Sequence, residues 1–554
     1  MLNDNYNIAE LPKLDIPRSK FEKSHKHLTT FNVGELIPIF CDEILPGTTV
    51  NIRTNKLVRL QTLITPIFDN LMMDTYFFFV PNRLVWDHWN EFMGENTSGH
   101  WYPQVQYAIP TIEAVNGFAA GSVADHFGVP INCDNTVVNA LPFRAYAKIF
   151  NDYFRDENLT DPVLIYTGDN TVQAVDTGNY INDGAKGVSP LKVAKYKDLF
   201  TTALPAPQKG PIISIGGNGL LPVNVGNAHS VPDSTFTLKY KGTSSIGQWF
   251  NLWSQGIDGN NLVLKADYES TGPSGDQYYA VPNNLWAELD SNILSINNLR
   301  LAFATQKLIE RDARYGTRYT EVLQGHFGIT SPDARLQRPE FIGGNHCHLY
   351  VDSVVQQSET GDTPLGNLGA YSITADANDD VQSYSALEHG FIIGVACVRY
   401  EHTYQQGLDK MWSRRYRLDY YWPELSNIGE IGISGKEVCM LPYSASDQTT
   451  EETKREEIFG YQEAWYDYRY KKNYVSGEMH SGISNTLDYW HLADYYSSHP
   501  VLGDAWIRED GSVVDRVIAV SQRVSDQVLA DFWFEYDYIA PLPVYSIPGL
   551  IDIR

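Results

Sequence analysis

Two histidines flank a cysteine at His346, Cys347 and His348, the spacing in this chain that most resembles a metal site. Neighbouring side chains of a strand point to opposite faces, so only His346 and His348 could share an ion. No nearby pair of ligand residues completes the tetrahedral set that zinc prefers. The pattern therefore favours a structural role, and we predict no metal site.

Motifs that bind phosphate or activate a nucleophile are also incomplete. The stretch "GTSSIGQ" at 242–248 has the glycines of a phosphate-binding loop, but Gln248 stands where that loop needs a lysine. The chain has no GxSxG elbow. The acidic pair Asp379–Asp380 has no neighbours that would frame it for acid–base catalysis. We predict that the protein is not an enzyme.

Basic residues interleaved with aromatics occur in two places. The first is "PRSKFEKSHKH", with Lys20, Lys23 and Lys26, and the second is "DKMWSRRYRLDYYW". The second stretch contains Lys410, Trp412, Arg414, Arg415, Tyr416 and Arg417. Such patches can neutralise phosphates and stack unpaired bases. For both patches, a subunit interface or a solvated face is somewhat favoured over contact with nucleic acid.

Composition restricts the class of protein. Aromatics make up 13% of the 554 residues, and Gly and Pro are frequent, which suits a β-rich chain with long ordered loops. The formal net charge of −25 argues against a free-standing DNA-binding protein, although it allows a local basic patch. Five scattered Cys fit a reducing cytosol, and we find no secretory signal. No apolar run approaches the ~18 residues of a membrane helix.

The stretch "DTYFFFVPNRLVWDHWNEFMGE" at 74–95 concentrates aromatic residues. Its first part is apolar on both faces and too short for a helix, which predicts a strand covered on both sides. Asn82 is then expected to cap a helix with an apolar stripe, which Gly94 ends. That stripe comprises Val85, Trp89, Phe92 and Met93.

Other elements follow from periodicity and composition. Leu301, Ala304 and Leu308 predict a helix that Gly316 ends. Strands are predicted within 346–358, within 390–404, and from 528 onward, where aromatics alternate with polar residues. The region 160–290 is rich in Gly, Asn, Asp, Ser and Thr, which indicates an inserted, loop-rich subdomain with strands of its own.

Three long segments carry a resemblance to a known family. They are "SKFEKSHKHLTTFNVGELIPIFCDEILPG" continued by "TYFFFVPNRLVWDHWNEFMGE", then "NNLRLAFATQKLIERDARYGTRYTEVLQGHFGITSPDARLQRPEFIGG", and the ending "IAPLPVYSIPGL". In these segments the chain resembles the major capsid protein of the microviruses, small single-stranded-DNA bacteriophages, in the gokushovirus branch. The segments span both ends and the centre, so the resemblance covers the full length.

The resemblance implies a mainly β fold: an eight-stranded antiparallel jelly roll with long loops, a few helices and a large inserted subdomain. It implies a T=1 icosahedral shell with one copy per asymmetric unit and a protrusion at the three-fold axes for host attachment. The implied division is an N-terminal arm at 1–30, jelly roll at 31–159, the protrusion at 160–290, and jelly roll with an extended tail at 291–554.

The implied partners are further copies of the chain, the packaged circular single-stranded DNA, a small basic DNA-binding phage protein, an internal scaffolding protein and a bacterial surface receptor. The protein is expected in the virion, assembled in the host cytoplasm. No cofactor is predicted, and the sequence does not decide whether calcium stabilises the shell. The residues predicted to face DNA or a neighbouring subunit are Lys20, Lys23, Lys26, Arg314, Arg318, Arg335, Arg338, Arg414, Arg415 and Arg417.

Two other interpretations fit parts of the sequence. One is a secreted carbohydrate-binding or glycosidase jelly-roll protein, which the abundant Tyr and Trp allow and the missing signal peptide opposes. The other is a receptor-binding spike alone, which strand-like segments on both sides of the insertion make less favoured. Mass in solution separates these classes, because a shell sediments as a megadalton particle and a lectin as a small oligomer.

Overall fold

A computed structural model describes most of the chain. It covers residues 17–96, 104–211, 299–350, 381–443, 447–519 and 521–545, and only the backbone of the helix and strand segments within 224–298 and 353–376. Contacts divide the chain into two compact units, one of residues 1–209 with 310–554 and one of residues 210–309.

The first unit contains two large antiparallel sheets. Their strands are β1 Ser19–Glu22, β2 His25–Phe31, β3 Glu35–Ile44, β4 Thr49–Leu60, β5 Leu71–Pro81, β6 Leu191–Lys192, β7 Glu340–His348, β8 Thr374–Asp376, β9 Gln382–Ser385, β10 Gly390–Tyr400 and β11 Val528–Ala540. In sheet 1, β11 pairs with β1 and β2 on one side and with β4 on the other, and β4 also pairs with β8 and β9. In sheet 2 the order is β7, β5, β10, β3, β6.

In the long central strands, the spacing of apolar residues agrees with the faces of the strand that are buried. In β11, Phe532, Phe534 and Tyr536 are buried while Trp533 and Glu535 are exposed, so one face lies on the core. This confirms the predicted alternation. In β5 every residue except Tyr76 is buried, so the strand is covered on both sides, as predicted.

Three apolar clusters account for this burial. The first lies between the two sheets and includes Phe77 and Phe79 of β5. The second lies on the opposite face of sheet 2 and includes Phe78, Val80 and Trp86. The third, smaller cluster includes Phe200, Tyr466 and Trp506. It packs together connecting segments that are far apart in the sequence. Sheet 2 is therefore the middle layer of unit 1.

The predicted helix after Pro81 is much shorter than expected, and that prediction was wrong. The chain forms a 3-10 turn at Asn82–Leu84 and a four-residue helix at Trp89–Phe92, and Asn82 makes no side-chain capping bond. Tertiary bonds replace the local ones: the Asp87 amide donates to Thr167 O at 3.0 Å, and Trp86 Nε1 donates to Asp169 at 2.7 Å.

The helices are few and mostly short. The longest are α1 Leu141–Ile149, α2 Ile296–Tyr315 and α3 Gln448–Glu456. In the described part of the chain, the other α-helices have four residues each; besides Trp89–Phe92 they are Val123–His126, Tyr180–Asp183, Tyr319–Val322, Asp333–Leu336, Gly435–Val438 and Asp504–Ile507. Helix α2 confirms the predicted helix, and Gly316 follows it with a φ of 100°. In the described part of the chain, no helix has the length and hydropathy to cross a membrane.

Smaller sheets occupy the connections; their strands pair antiparallel, except that Val172–Gln173 runs parallel to Thr111–Ala114. The segment between β5 and β6 contains strands Thr111–Ala114, Thr136–Asn139 and Val172–Gln173, and the one between β10 and β11 contains Glu430–Ser434 and Ile458–Glu463. A further pair is Ser353–Val355 with Leu368–Tyr371. The unit of residues 210–309 has strands of its own: Asn224–Asn227, Val231–Pro232, Leu238–Gly242, Gln248–Phe250, Leu252–Asp258, Asn261–Ala266, Tyr278–Pro282 and Leu285–Trp286.

Candidate subunit and nucleic-acid interfaces

The three predicted lysines lie beside β11, on or next to the edge strands β1 and β2. Lys20 pairs with Asp537 at 2.8 Å and Lys26 with Asp531 at 2.7 Å, both across to β11. Lys23, between the two short strands, pairs with Asp42 of β3 and lies 4.6 Å from the Tyr538 ring. All three therefore have acidic partners within the chain. Residues 1–16 of the predicted arm lie outside the described residues.

Replacing Lys20 and Lys26 with glutamine is expected to cost less than about 1 kcal/mol of unfolding free energy each, because their ion pairs are exposed. Urea denaturation of the single variants measures this cost. If this edge meets single-stranded DNA, each substitution also lowers the slope of log affinity against log salt by about 0.7. An unchanged slope would contradict a DNA-facing role for these two residues.

Three of the four arginines between 314 and 338 are engaged within the chain. Arg314 contacts Glu430 at 2.6 Å, and Arg318 contacts Glu321 at 3.1 Å together with two backbone carbonyls. Arg338 contacts Asp333 at 2.6 Å and lies over the Tyr153 ring. Exposed Arg335 makes no ion pair with any described residue. The structure thus does not gather the four into one cationic site.

The remaining arginines belong to a short, well-tied segment. Arg414 is buried against Asp467, and its guanidinium lies 4.4 Å from the Tyr468 ring centroid. The Asp419 carboxylate accepts from the backbone amides of Arg415 and Tyr416, each at 2.7 Å. These bonds fix the backbone, and the side chains of Trp412, Arg415, Tyr416 and Arg417 are exposed.

Residues 410–422 and 465–474 together form what we call the aromatic–arginine surface. Two ring contacts join the segments: Tyr421 lies 5.6 Å from Trp465 and 6.3 Å from Tyr468. Trp412 is 70% exposed and Tyr416 is 74% exposed. The other exposed aromatic residues on it are Tyr420, Tyr421, Tyr468, Tyr470 and Tyr474. Aromatic side chains and arginines of this kind recognise protein surfaces as well as unpaired bases.

A small pocket lies between the two segments. Its volume is about 190 Å³, and its lining includes Met411, Arg414, Tyr468 and Tyr470. At its floor the buried Glu437 carboxylate accepts from the Tyr466 hydroxyl. A pocket of this size holds one side chain or one base.

In the part of the chain that the structure describes, His346 and His348 are not surrounded by the further side chains that a metal ion would need as ligands. His346 Nδ1 lies against the Asp74 carboxylate, which is fully buried and also paired with Arg399. The Tyr196 hydroxyl donates to the same carboxylate at 2.8 Å. Among the described residues, no three His, Cys, Asp or Glu side chains cluster as a metal site would need. The group joins three strands of sheet 2 to residue 196.

A second buried ionic group lies where the chain leaves sheet 2. His402 is held between Asp494 at 3.0 Å and Glu509 at 3.3 Å, and Lys195 is 3.9 Å from Asp494. Burial alone would lower the pKa of His402, but the two carboxylates outweigh it and raise the pKa to about 9. Burial acts to raise the pKa of Asp494. Contacts with neighbouring groups, of which His402 contributes most, outweigh burial and lower this pKa overall. The group thus holds the long connection of residues 401–527 against the end of sheet 2.

Sequence reasoning missed half of the aromatic–arginine surface. The stretch "WYDYRYKKNY" at 465–474 carries the same interleaving of basic and aromatic residues as 410–422. That signal could have identified it. The groups around Asp74 and His402 gave no such signal, because each draws its members from distant parts of the chain.

Comparison with known proteins gives matches over nearly the whole chain. The family model described as "Capsid protein (F protein)" matches residues 9–550. Capsid protein VP1 of Spiroplasma virus 4 is 40% identical, over 97% of this chain and 96% of the relative. Capsid protein VP1 of Bdellovibrio phage phiMH2K is 38% identical, over 99% and 98%. Capsid protein VP1 of Chlamydia phage 1 is 37% identical, over 98% and 97%.

Proposed function

The chain belongs to the capsid protein (F protein) family, and from this premise we propose that it builds a T=1 icosahedral shell with a jelly-roll subunit. The family makes it a structural capsid protein of the virion, not an enzyme, that self-assembles and packages a genome. The predicted microvirus resemblance is thereby confirmed. The full-length match also favours a capsid protein over a secreted carbohydrate-binding protein.

Strand order is the observation that supports a jelly roll. With the short β6 left out, and with β1 and β2 counted together as the first strand and β8 and β9 as the sixth, the two large sheets comprise eight strands, with β7 fifth and β11 eighth. Sheet 1 then has the order first, eighth, third, sixth. Apart from the short β6, sheet 2 has the order fifth, fourth, seventh, second. Two interleaved four-stranded sheets of this kind are what a pair of Greek keys produces.

The proposed protrusion is the unit of residues 210–309. It is inserted in the long connection between the fourth and fifth strands of the sandwich, β5 and β7. Connections on a rigid scaffold commonly carry recognition, and they tolerate insertions at a small entropic cost. We therefore assign to this unit the contact with a bacterial surface receptor. The predicted bounds of 160–290 stay a prediction.

The net charge supports the remaining proposed partners. A subunit of charge −25 repels DNA at long range, so the phosphates of a packaged single strand need cations from another source. A small basic DNA-binding protein would supply them inside the shell. An internal scaffolding protein would guide subunits during assembly.

Removing residues 210–309 and closing the gap with a short Gly–Ser linker tests the proposal. The two ends lie near each other, since a Cβ on Gly210 would lie 4.0 Å from the Ile309 side chain, and the cut leaves residues 310–315 of α2 in place. We expect particles that sediment as closed shells, lack protrusions in electron micrographs, and no longer attach to host cells. Intact attachment, or loss of shells under conditions in which the unmodified chain forms them, would contradict the assignment.

A further inference from the structure

We propose that the aromatic–arginine surface is a contact between subunits, covered by a second copy of this chain and not by DNA. The inference rests on the proposed shell, because it names one of the faces through which copies join. Four observations carry it: the exposed area, the residue types, the pairing of its charges and the rigidity of its backbone.

The exposed area matches what one partner of a stable complex contributes. Seven aromatic side chains of this surface are about half to three-quarters exposed. Since each aromatic side chain can bury roughly 150–250 Å², they leave on the order of 800 Å² open. Monomeric proteins rarely expose apolar patches beyond about 300–600 Å². A standard interface buries about 800 Å² on each partner.

The residue types favour a protein partner. Leu418 is 70% exposed, and Met411, which precedes Trp412 in the sequence, is also exposed. Aliphatic side chains gain little from stacking on bases, whereas Trp, Tyr, Met and Arg are the types enriched in protein interfaces. The 190 Å³ pocket next to Met411 gives a neighbouring side chain a place to insert, as the anchors of interfaces do.

Of the seven cationic side chains on this surface, four are paired with carboxylates within the chain, and Lys471 and Lys472 share Asp409. Arg414 is paired with Asp467, Lys472 with Asp409 at 3.1 Å, and Arg469 with Glu463. Single-stranded DNA would need several free cations aligned with its phosphates. The exposed Arg415 and Arg417 make no ion pair with described residues, and they suit a neighbouring copy whose net charge is −25.

The backbone of the surface is ordered before any partner arrives. Asp419 holds the amides of Arg415 and Tyr416, and Trp422 Nε1 donates to Arg417 O at 3.0 Å. Arg414 Nε donates to Asp419 O at 2.9 Å. Because this backbone is already ordered in the free subunit, binding loses little conformational entropy there. A given buried area then yields a higher affinity.

Hydroxyl-radical footprinting of unmodified particles is the first test. Oxidation of Met411, Trp412 and Tyr416 is compared in dissociated subunits, DNA-filled particles and DNA-free shells. We expect protection of at least five-fold in both kinds of particle. Protection only in DNA-filled particles would assign the surface to nucleic acid, and no protection in either would show that it faces solvent. Both of these results overturn the proposal.

A variant tests the energetic role of the surface. Trp412→Ser with Tyr416→Ser is expected to reduce particle yield at least ten-fold in sedimentation. Its subunits should keep the melting temperature and single-stranded DNA affinity of the unmodified subunit. Glu424→Gln, an exposed change just outside the surface, is the matched control and should assemble normally. Normal yield from the double variant, or reduced DNA affinity with normal yield, overturns the proposal.

The two proposals fail in different ways. If the unmodified chain forms no closed particle with its phage partners, the proposed shell fails. If it forms particles in which the surface stays open to oxidation, only the present inference fails.

Discussion

Replacing His402 with glutamine is expected to lower the unfolding free energy by about 3 kcal/mol. The substitution removes a buried cation from between Asp494 and Glu509, and leaves Lys195 as the one remaining cation of that group. Breaking a buried ionic group by removing one member costs about 3–5 kcal/mol, because the opposite charge stays buried. Urea denaturation followed by tryptophan fluorescence measures the loss. Exposed His348→Gln is the matched control and should change stability by less than about 0.5 kcal/mol.

The same group predicts a dependence of stability on pH. The pKa of His402 rises from an ordinary 6.5 to about 9 in the folded chain, so the folded state binds the proton more tightly. The resulting stability is fully present below pH 6.5 and is lost as pH rises through 9. A shift of this size corresponds to about 3 kcal/mol. The unmodified chain should weaken over that interval, and the His402→Gln variant should not; parallel pH profiles would contradict this assignment.

Replacing Asp74 with asparagine is expected to cost about 3–5 kcal/mol of unfolding free energy. The carboxylate is completely buried, and Arg399 beside it is nearly so. Without the carboxylate, Arg399 loses its counter-ion, and the Tyr196 hydroxyl loses a charged acceptor. The effect should appear as a lower urea midpoint with a retained β-sheet spectrum near 0 M urea.

His346 provides a matched control on the same carboxylate. Its side chain is 49% exposed, so its pairing with Asp74 competes with water. We expect His346→Gln to cost less than about 1 kcal/mol. Equal losses from Asp74→Asn and His346→Gln would contradict the view that Arg399 is the partner on which stability depends.

The elements predicted best were those whose pattern is decided by burial on a sheet. The alternation in β11 and the doubly apolar β5 both follow from the period of two in strands, which neighbouring segments cannot override. Helix α2 was predicted because it is long and has a clear stop at Gly316. In each case the residues of the element itself predict its secondary structure, and the tertiary structure determines only which neighbouring element it packs against.

The segment after β5 shows where local signals fail. Its Trp and Phe spacing suited an amphipathic helix, but bonds from Trp86 and Asp87 to residues 167–169 hold it in short turns. Those partners are some 80 residues away, so no local pattern reveals them. The basic residues illustrate the same point, since Arg318 and Arg414 are engaged by distant carboxylates in the chain. The tertiary structure, and not the local sequence, therefore determines which basic side chains remain available to bind a partner.

An icosahedral reconstruction by electron cryo-microscopy of particles built from this chain is the most direct test of the proposed shell. We expect one copy per asymmetric unit, two interleaved four-stranded sheets in the shell wall, and the unit of residues 210–309 on the outer surface. We also expect Trp412 and Tyr416 to contact a neighbouring copy. More than one copy per asymmetric unit, or residues 210–309 on the inner surface, would contradict it.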